Sequence, residues 1–323
     1  MKKEELTMLQ SLPLDIKIAK SKLRIEEFIR ALGGEDKVYV SFSGGKDSTV
    51  LLHLVRSVYP SVEAVYSNTG LEFPEINDFV KTVDNVTIVR PKKSFKQVIE
   101  EEGYPMISKK TSRMLKDLQN PTEKNIRVRS LYLSKYVLDK EGNPTDVVNG
   151  SFKLAEKWKY LIDAPFKISH RCCDILKKQP MREYEKKSKK RGIVGTMAVE
   201  SRLREENYLR TGCNIFTEGK EKCLPLSFWT EQDVLEYIVK FDLKYASIYG
   251  DIVKNEQGKW ETTGEKRTGC VFCGFGVHLE KEPNRYQRLE ITHPQLHKYC
   301  MEKLGFKDVC EYMNIPYNNN QKE

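Results

Sequence analysis

Ser43-Gly44-Gly45-Lys46-Asp47-Ser48 carries the residue types that bind a phosphorylated ligand. Before it runs Lys37-Val38-Tyr39-Val40-Ser41-Phe42, short, apolar and β-branched, and after it Thr49 to Val55 reads as a buried helix. A glycine pair at such a turn lets backbone N–H groups approach an anion, and the helix N-terminus adds its dipole. Lys46 supplies a point charge, and Ser43 and Ser48 supply hydroxyl donors. Asp47 can cap the helix or position a metal ion. The spacing is not that of a Walker A loop, which places four residues between its first glycine and Gly-Lys-[Ser/Thr].

The second chemical pattern is an adjacent pair, Cys172-Cys173, followed at a distance by Cys270-Val271-Phe272-Cys273 between Gly269 and Gly274. A C-x-x-C can wrap two thiolates around one metal, and the adjacent pair completes a four-cysteine set. Neighbouring cysteines suit tetrahedral zinc poorly, because their side chains diverge. The separate corners of a [4Fe-4S] cluster can be reached from both segments, so Cys172, Cys173, Cys270 and Cys273 favour the cluster over zinc. A plain buried pair is the competing reading of Cys172-Cys173. Cys300 and Cys310 lie in helical patterns and read as core thiols. His170 and His278 flank the cysteines and are expected to be structural.

These groups sit in a chain of 323 residues, enough for one large or two modest domains. No uninterrupted apolar run reaches about 18 residues, and the N-terminus lacks the apolar region of a signal peptide. Both absences lead us to expect no membrane association and a cytoplasmic protein. Eight cysteines in such a composition argue for metal or redox work rather than disulfides. A net charge of +9 suits a polyanionic partner without separating nucleic acid from nucleotide.

The elements that must hold the motifs are short strands alternating with helices. Helices are expected over Asp15 to Leu32, with Ile16, Ile18, Leu23, Ile25, Phe28 and Ile29 on its apolar face, and near Pro74 to Val83. Strands are expected at 37–42, 62–67, 86–90 and 193–196. This alternation predicts an α/β fold with a doubly wound, mainly parallel sheet, helices on both faces and the ligand at the strands' carboxyl ends. The organisation expected is an N-terminal part of a nucleotide-binding domain over 1–103, a basic, mainly helical insertion over 104–165, the rest of that domain with the cysteines over 166–283, and a helical C-terminal region over 284–323. Residues from Asn318 onward are expected to fray. In the insertion, Lys109, Lys110, Arg113, Arg127 and Arg129 either line a polyanion channel or form a solvated face.

The loop at Ser43 to Ser48 resembles the PP-loop of the ATP pyrophosphatase (adenine nucleotide α-hydrolase) superfamily, and more of the chain resembles one family within it. An adjacent cysteine pair, a long gap and then C-x-x-C is similar to the [4Fe-4S] signature of adenylyl-sulfate reductases in the phosphoadenosine phosphosulfate (PAPS) reductase family. Asn68-Thr69-Gly70-Leu71-Glu72-Phe73-Pro74-Glu75 resembles its D-T-G-x-x-F-P-E segment, with Asn68 for the usual Asp. Cys172 to Pro180 resembles C-C-x-x-x-K-x-x-P, and Gly195 to Arg204 resembles G-x-R-x-x-E-S-x-x-R with Met197 in place of the first Arg. Pro225 to Val234 resembles P-L-x-x-W-x-x-x-D-V. The resemblance runs in order from about Lys37 to Gly276.

The resemblance implies an adenine nucleotide as ligand: ATP, or adenylyl sulfate or PAPS. Ser43, Gly44, Gly45, Lys46, Asp47 and Ser48 would hold phosphates, with Mg2+ when the nucleotide is ATP. Asn68, Thr69 and Gly70 would meet adenine or ribose. Glu200 and Ser201 join the site, and Arg202 or Arg204 would clamp a phosphate or sulfate, with Lys46, Asp47 and Arg204 as the catalytic set. Trp229 is expected to pack rather than to read a base. Reductases of this family carry a C-terminal E-C-G-x-H motif, which is missing here, and typically lack a loop lysine, which Lys46 supplies. That shifts the expectation to ATP cleavage between the α- and β-phosphates and sulfur transfer. The acceptor would be a nucleic acid bound by the basic insertion, with a sulfur donor or electron donor protein as partner and oligomerisation open. Cys213, or less well Cys223, could carry persulfide. The alternatives are adenylyl sulfate or PAPS reduction, ATP sulfurylation (Ser41 to Pro60 also resembles the small subunit of sulfate adenylyltransferase) and a non-catalytic nucleotide- or nucleic-acid-binding module.

Overall fold

The computed structural model describes residues 2–150 and 152–319 and divides into two compact units. The first comprises Met1–Pro91 and Gln179–Val271, the second Lys92–Lys178 and Phe272–Glu323. These divisions differ from the boundaries expected at 103, 165 and 283: the segment from Lys92 is grouped with the C-terminal residues, and the C-x-x-C is split between Val271 and Phe272, with Cys270 in one unit and Cys273 in the other.

In the first unit the elements run α1 (Lys3–Gln10), α2 (Leu14–Leu32), β1 (Val38–Phe42), α3 (Lys46–Arg56), β2 (Ala64–Ser67), α4 (Pro74–Lys81) and β3 (Val86–Val89). After the excursion come α5 (Gln179–Ser188), β4 (Arg191–Val194), α6 (Arg202–Thr211), β5 (Asn214–Ile215), β6 (Lys222–Cys223), α7 (Glu231–Lys240) and an antiparallel ribbon of β7 (Ile252–Lys254) and β8 (Trp260–Thr262). The sheet has the order β3-β2-β1-β4-β6-β5 and is parallel except at β5. Val40 pairs with Ala64 on one side and Ile193 on the other, so β1 is central. Its side chains are buried apart from a half-exposed Ser41, as a strand covered on both faces requires. The chain winds outward from β1 to β3 and then returns to the other flank of β1. That reversal leaves a crevice beyond the carboxyl end of β1, where the glycine loop lies.

Two expectations for this unit need correction. The fourth strand starts earlier, at Arg191, and ends at Val194, because Gly195 already turns off the sheet toward α3: a Cβ there would stand 3.4 Å from Asp47 O. In α2, Ile16 and Leu23 are exposed, while Lys17 and Ser21 are buried beside Ile18, Ile25, Phe28 and Ile29. Lys17 can be buried because Asp233 receives its ammonium at 2.7 and 2.8 Å and Gln10 O at 2.6 Å. Ser21 donates to Pro225 O and accepts the indole N–H of Trp229, which is fully buried.

The second unit is less uniformly helical than expected. Helices at Lys109–Gln119 and Ile126–Leu133 are followed by an antiparallel hairpin, Tyr136–Leu138 with Pro144–Val148, whose loop contains the Gly142-Asn143 turn. The C-terminal part is helical at Arg285–Thr292, Pro294–Lys298 and Phe306–Tyr312. Phe306 packs against Phe95 at 6.2 Å between ring centroids and edge-on to Tyr104 at 5.1 Å. Asn318 and Asn319 do not fray: each exchanges a hydrogen bond with Gln287, and 320–323 lie outside the described residues. Among the described residues no helix is long and apolar enough to cross a membrane.

Candidate functional site: the glycine loop and the cysteine segments

The glycine loop is held open by its own hydroxyls. Ser48 Oγ accepts the Ser43 N–H at 3.1 Å and donates to Gly45 O at 2.8 Å, with Ser43 Oγ 3.0 Å away. Gly44 has φ +71°, and a Cβ there would lie 2.8 Å from Ile76 and Val80, so both conformation and space demand glycine. Gly45 caps α3, which makes Asp47 a first-turn residue rather than the cap. Asp47 Oδ1 is buried without a hydrogen-bond partner, 3.5 Å from Lys46 Nζ. A carboxylate oxygen that accepts no hydrogen bond, beside the glycine loop, fits a hard cation such as Mg2+. Lys46 is 3% exposed; its ammonium donates to Lys266 O at 3.1 Å and lies 3.2 Å from Glu231 Oε1.

A second wall comes from residues to which the sequence assigned no role. Tyr249 Oη accepts the Lys46 N–H at 3.2 Å and lies 2.5 Å from Thr268 Oγ1. Arg267 contacts Glu200 Oε1 at 3.5 Å, and Arg204 pairs with Glu200 Oε2. Burial and the neighbouring Arg267 pull the Arg204 guanidinium below its usual value, with Asp47 opposing. Lys46, Asp47, Glu231, Lys259 and Arg267 line a cleft of about 370 Å³, with Met197 where the family pattern has Arg. The structure thus brings Lys46, Asp47, Glu200 and Arg204 together. Ser201 instead caps α6, accepting the Arg204 N–H, and Arg202 points to solvent paired with Glu206, so of the two candidate clamps Arg204 faces the site. The signal available for the missed residues was adjacency: Arg267-Thr268 directly precedes Gly269-Cys270.

The loop after β2 satisfies itself. Glu72 accepts the Thr69 N–H and hydroxyl at 3.0 and 2.8 Å, and Asn68 Oδ1 accepts the Gly70 N–H at 3.0 Å. Thr69 is buried and Gly70 exposed. The same loop meets the cysteine segment of its own unit: Leu71 O accepts the Val271 N–H at 2.8 Å.

None of the eight cysteines is in a disulfide. In the second unit, Cys173 is brought down to about 6 by the hydrogen bond from Cys172, against burial, with Lys109 and Lys177 adding to the fall. Burial pushes Cys273 up, while Arg285 and Lys177 pull down and Cys173 raises it further. Cys273 is placed by Gly274-Phe275, which pairs parallel with Met106-Ile107; a side chain at Gly274 would overlap Met106 and lie 2.7 Å from Pro105 O. A Cys173 thiolate beside Lys109 and Lys177 fits an anionic iron–sulfur cluster in its chemistry. Among the described residues no group of three or more His, Cys, Asp or Glu is arranged to hold a metal ion. Burial pushes Cys213 up to about 11 and Cys223 well above its ordinary value, so both are poor persulfide carriers. Cys300 and Cys310 are fully buried in the C-terminal core. His170 and His278 each bury an Nδ1 without a hydrogen-bond partner, and burial lowers both imidazoles.

Of the basic residues in the second unit, Lys109, Lys110 and Arg113 share the exposed face of one helix whose other face buries Ser112, Met114, Leu115 and Leu118. Arg127 donates to Asp139 O, and Arg129 is half-buried.

An uncharacterized protein of Methanocaldococcus jannaschii is 25% identical over 265 residues, which is 80% of this chain; the chain spans 45% of that relative. Adenosine 5'-phosphosulfate reductase of Staphylococcus haemolyticus is 23% identical over 269 residues, 81% of each chain. Among solved structures, PAPS reductase from Candida auris aligns at TM-score 0.40 and 13% identity, over 76% of this chain and 90% of that one. The U34-tRNA thiolase NcsA from Methanococcus maripaludis, with its [4Fe-4S] cluster, aligns at 0.37 and 14%, over 96% and 84%. The phosphoadenosine phosphosulfate reductase domain matches residues 37–132 and 133–273, a stretch that runs from β1 through the last cysteine of the C-x-x-C, and the chain belongs to that family.

Proposed function

We propose that this chain is a PP-loop enzyme that binds ATP, cleaves it between the α- and β-phosphates and uses the adenylylated intermediate for sulfur transfer. The observation that carries this reading is Lys46: a buried ammonium at the first turn of α3, paired with an Asp47 oxygen that accepts no hydrogen bond, in a cleft shared with Arg267 of the Arg204–Glu200–Arg267 cluster. An acceptor oxygen attacks the α-phosphorus, the bond to the bridging oxygen breaks, and pyrophosphate leaves with its charge met by Lys46, Arg204 and Arg267. A hydrosulfide then attacks the activated carbon, the carbon–oxygen bond breaks, and AMP departs.

Asp47 would hold Mg2+, which supplies Lewis-acid stabilisation of phosphate oxygens. Cys172, Cys173, Cys270 and Cys273 would hold a [4Fe-4S] cluster, which would supply one-electron chemistry when bound. The exposed row of Lys109, Lys110 and Arg113 suits the phosphate backbone of a nucleic-acid acceptor.

Reduction of adenylyl sulfate is the second reading, favoured by the Staphylococcus haemolyticus relative named for that activity. It needs a thiol to attack the substrate sulfur, and the C-terminal candidates are ill placed: burial holds the Cys300 thiol well above its ordinary value and pushes Cys310 up to about 12. One paired assay separates the readings. Exchange of labelled pyrophosphate into ATP, lost in Lys46→Ala, without sulfite release from adenylyl sulfate, supports ATP cleavage. Sulfite release without exchange supports reduction and sinks the first reading.

A further inference from the structure

The first N–H of α3 is the donor that a bound phosphate oxygen would be expected to use. Here it is taken by a side chain far away in sequence: Tyr249 Oη accepts the Lys46 N–H at 3.2 Å. The phenol is 2% exposed, its hydroxyl would be 3.0 Å from a Cβ on Gly45, and its ring centroid is 5.6 Å from Lys46 Nζ. The oxygen therefore stands where a ligand oxygen would stand. Its placement is braced from behind. Gly264 N–H donates to Tyr249 O at 2.8 Å and Glu265 N–H to Ile248 O at 3.0 Å, and a Cβ on Gly264 would crowd Tyr249 C at 2.7 Å. On its far side the hydroxyl meets Thr268 Oγ1 at 2.5 Å. Thr268 is two residues before Cys270, and the Val271 N–H is tied to Leu71 O.

We propose that Tyr249 is a specificity-determining plug: its hydroxyl holds the loop's N–H until a charged phosphate oxygen displaces it, and Thr268 passes that displacement to the Cys270 segment. This rests on the nucleotide reading given above. A neutral hydroxyl makes about half the hydrogen bond of a charged phosphate oxygen, so water and weak anions leave the plug in place while a polyphosphate removes it. No covalent step is involved.

The sign of one substitution tests the idea. In Tyr249→Phe the N–H loses its internal partner while the ring remains, so the loop should bind a competing anion more tightly. We expect pyrophosphate, titrated calorimetrically into the anaerobically purified protein, to bind Tyr249→Phe about fivefold more tightly than wild type. If Tyr249 were an ordinary ligand contact, the same change would weaken binding. Hydrogen exchange of the 264–271 peptide provides the second readout. In wild type, pyrophosphate should speed its exchange about twofold or more, and in Tyr249→Phe and Thr268→Val exchange should be equally fast with and without pyrophosphate. Equal or weaker binding by Tyr249→Phe, or a wild-type peptide unmoved by bound pyrophosphate, overturns the plug and leaves the nucleotide reading standing. No binding of pyrophosphate or ATP by either chain overturns the nucleotide reading and the plug together. Binding by Tyr249→Phe alone supports the plug in its strongest form.

Discussion

At the residue scale, the loop depends on what two glycines leave out. Gly44 combines a left-handed φ with side chains of α4 packed where its Cβ would go. Gly44→Ala should therefore cost about 1–3 kcal/mol in urea denaturation and also weaken ATP binding, because relief of the overlap moves the loop off α4. Gly45 faces only polar atoms, Tyr249 Oη at 3.0 Å and the Ser43 and Thr268 hydroxyls at 3.4 Å. The loop was legible in sequence because glycine, lysine and serine types at consecutive positions encode a local conformation. Tyr249 and Arg267 were not, since each reaches the loop through tertiary folding of a segment more than 200 residues downstream, at 3.2 Å from Lys46 N in the case of Tyr249.

At the scale of elements, two polar clusters tie neighbouring elements together. Lys17 in α2 and Asp233 in the first turn of α7 form a buried pair, and Asp233 also accepts from Thr230 as part of a capping box. Lys17→Ala leaves that carboxylate buried without its cation and should cost about 3–5 kcal/mol, read as a lower urea midpoint. Amphipathic periodicity missed this pair because it ranks lysine as exposed; only the approach of Asp233 makes the burial affordable.

Glu63, just before β2, accepts from Thr87, Tyr184 and Lys190. Burial alone would raise its carboxyl, but Lys190 and the two hydroxyls more than offset this and hold it below the usual range. A depressed carboxyl adds stability above its unfolded pKa, and that stability is lost as pH falls through the folded value. Glu63→Gln should thus lower stability by about 1–2 kcal/mol at neutral pH, with the gap to wild type closing below about pH 4. A gap that persists unchanged into acid would show that the loss comes from packing instead.

For the whole molecule, the measurement that matters most is the metal content of the cysteine set. Anaerobic preparations should carry about four irons and matching sulfide per chain, lost in Cys173→Ala and Cys273→Ala and kept in Cys213→Ala. Zinc, or equal iron in all variants, would remove the cluster from the account.

The sequence by itself determined the parallel α/β core, the glycine loop at the end of its central strand and the family, because these rest on local pattern: strand and helix periodicity, glycine placement and motifs in fixed order. It also named Lys46, Asp47, Glu200 and Arg204, which the fold gathers at one crevice. Only the tertiary structure decided that Arg202 turns to solvent, that Cys213 is too deeply buried to work as a thiolate, and that 92–178 folds with the C-terminal residues. Those outcomes depend on which surfaces meet, and burial, ion pairing and desolvation are properties of contacts between segments that lie far apart in the chain.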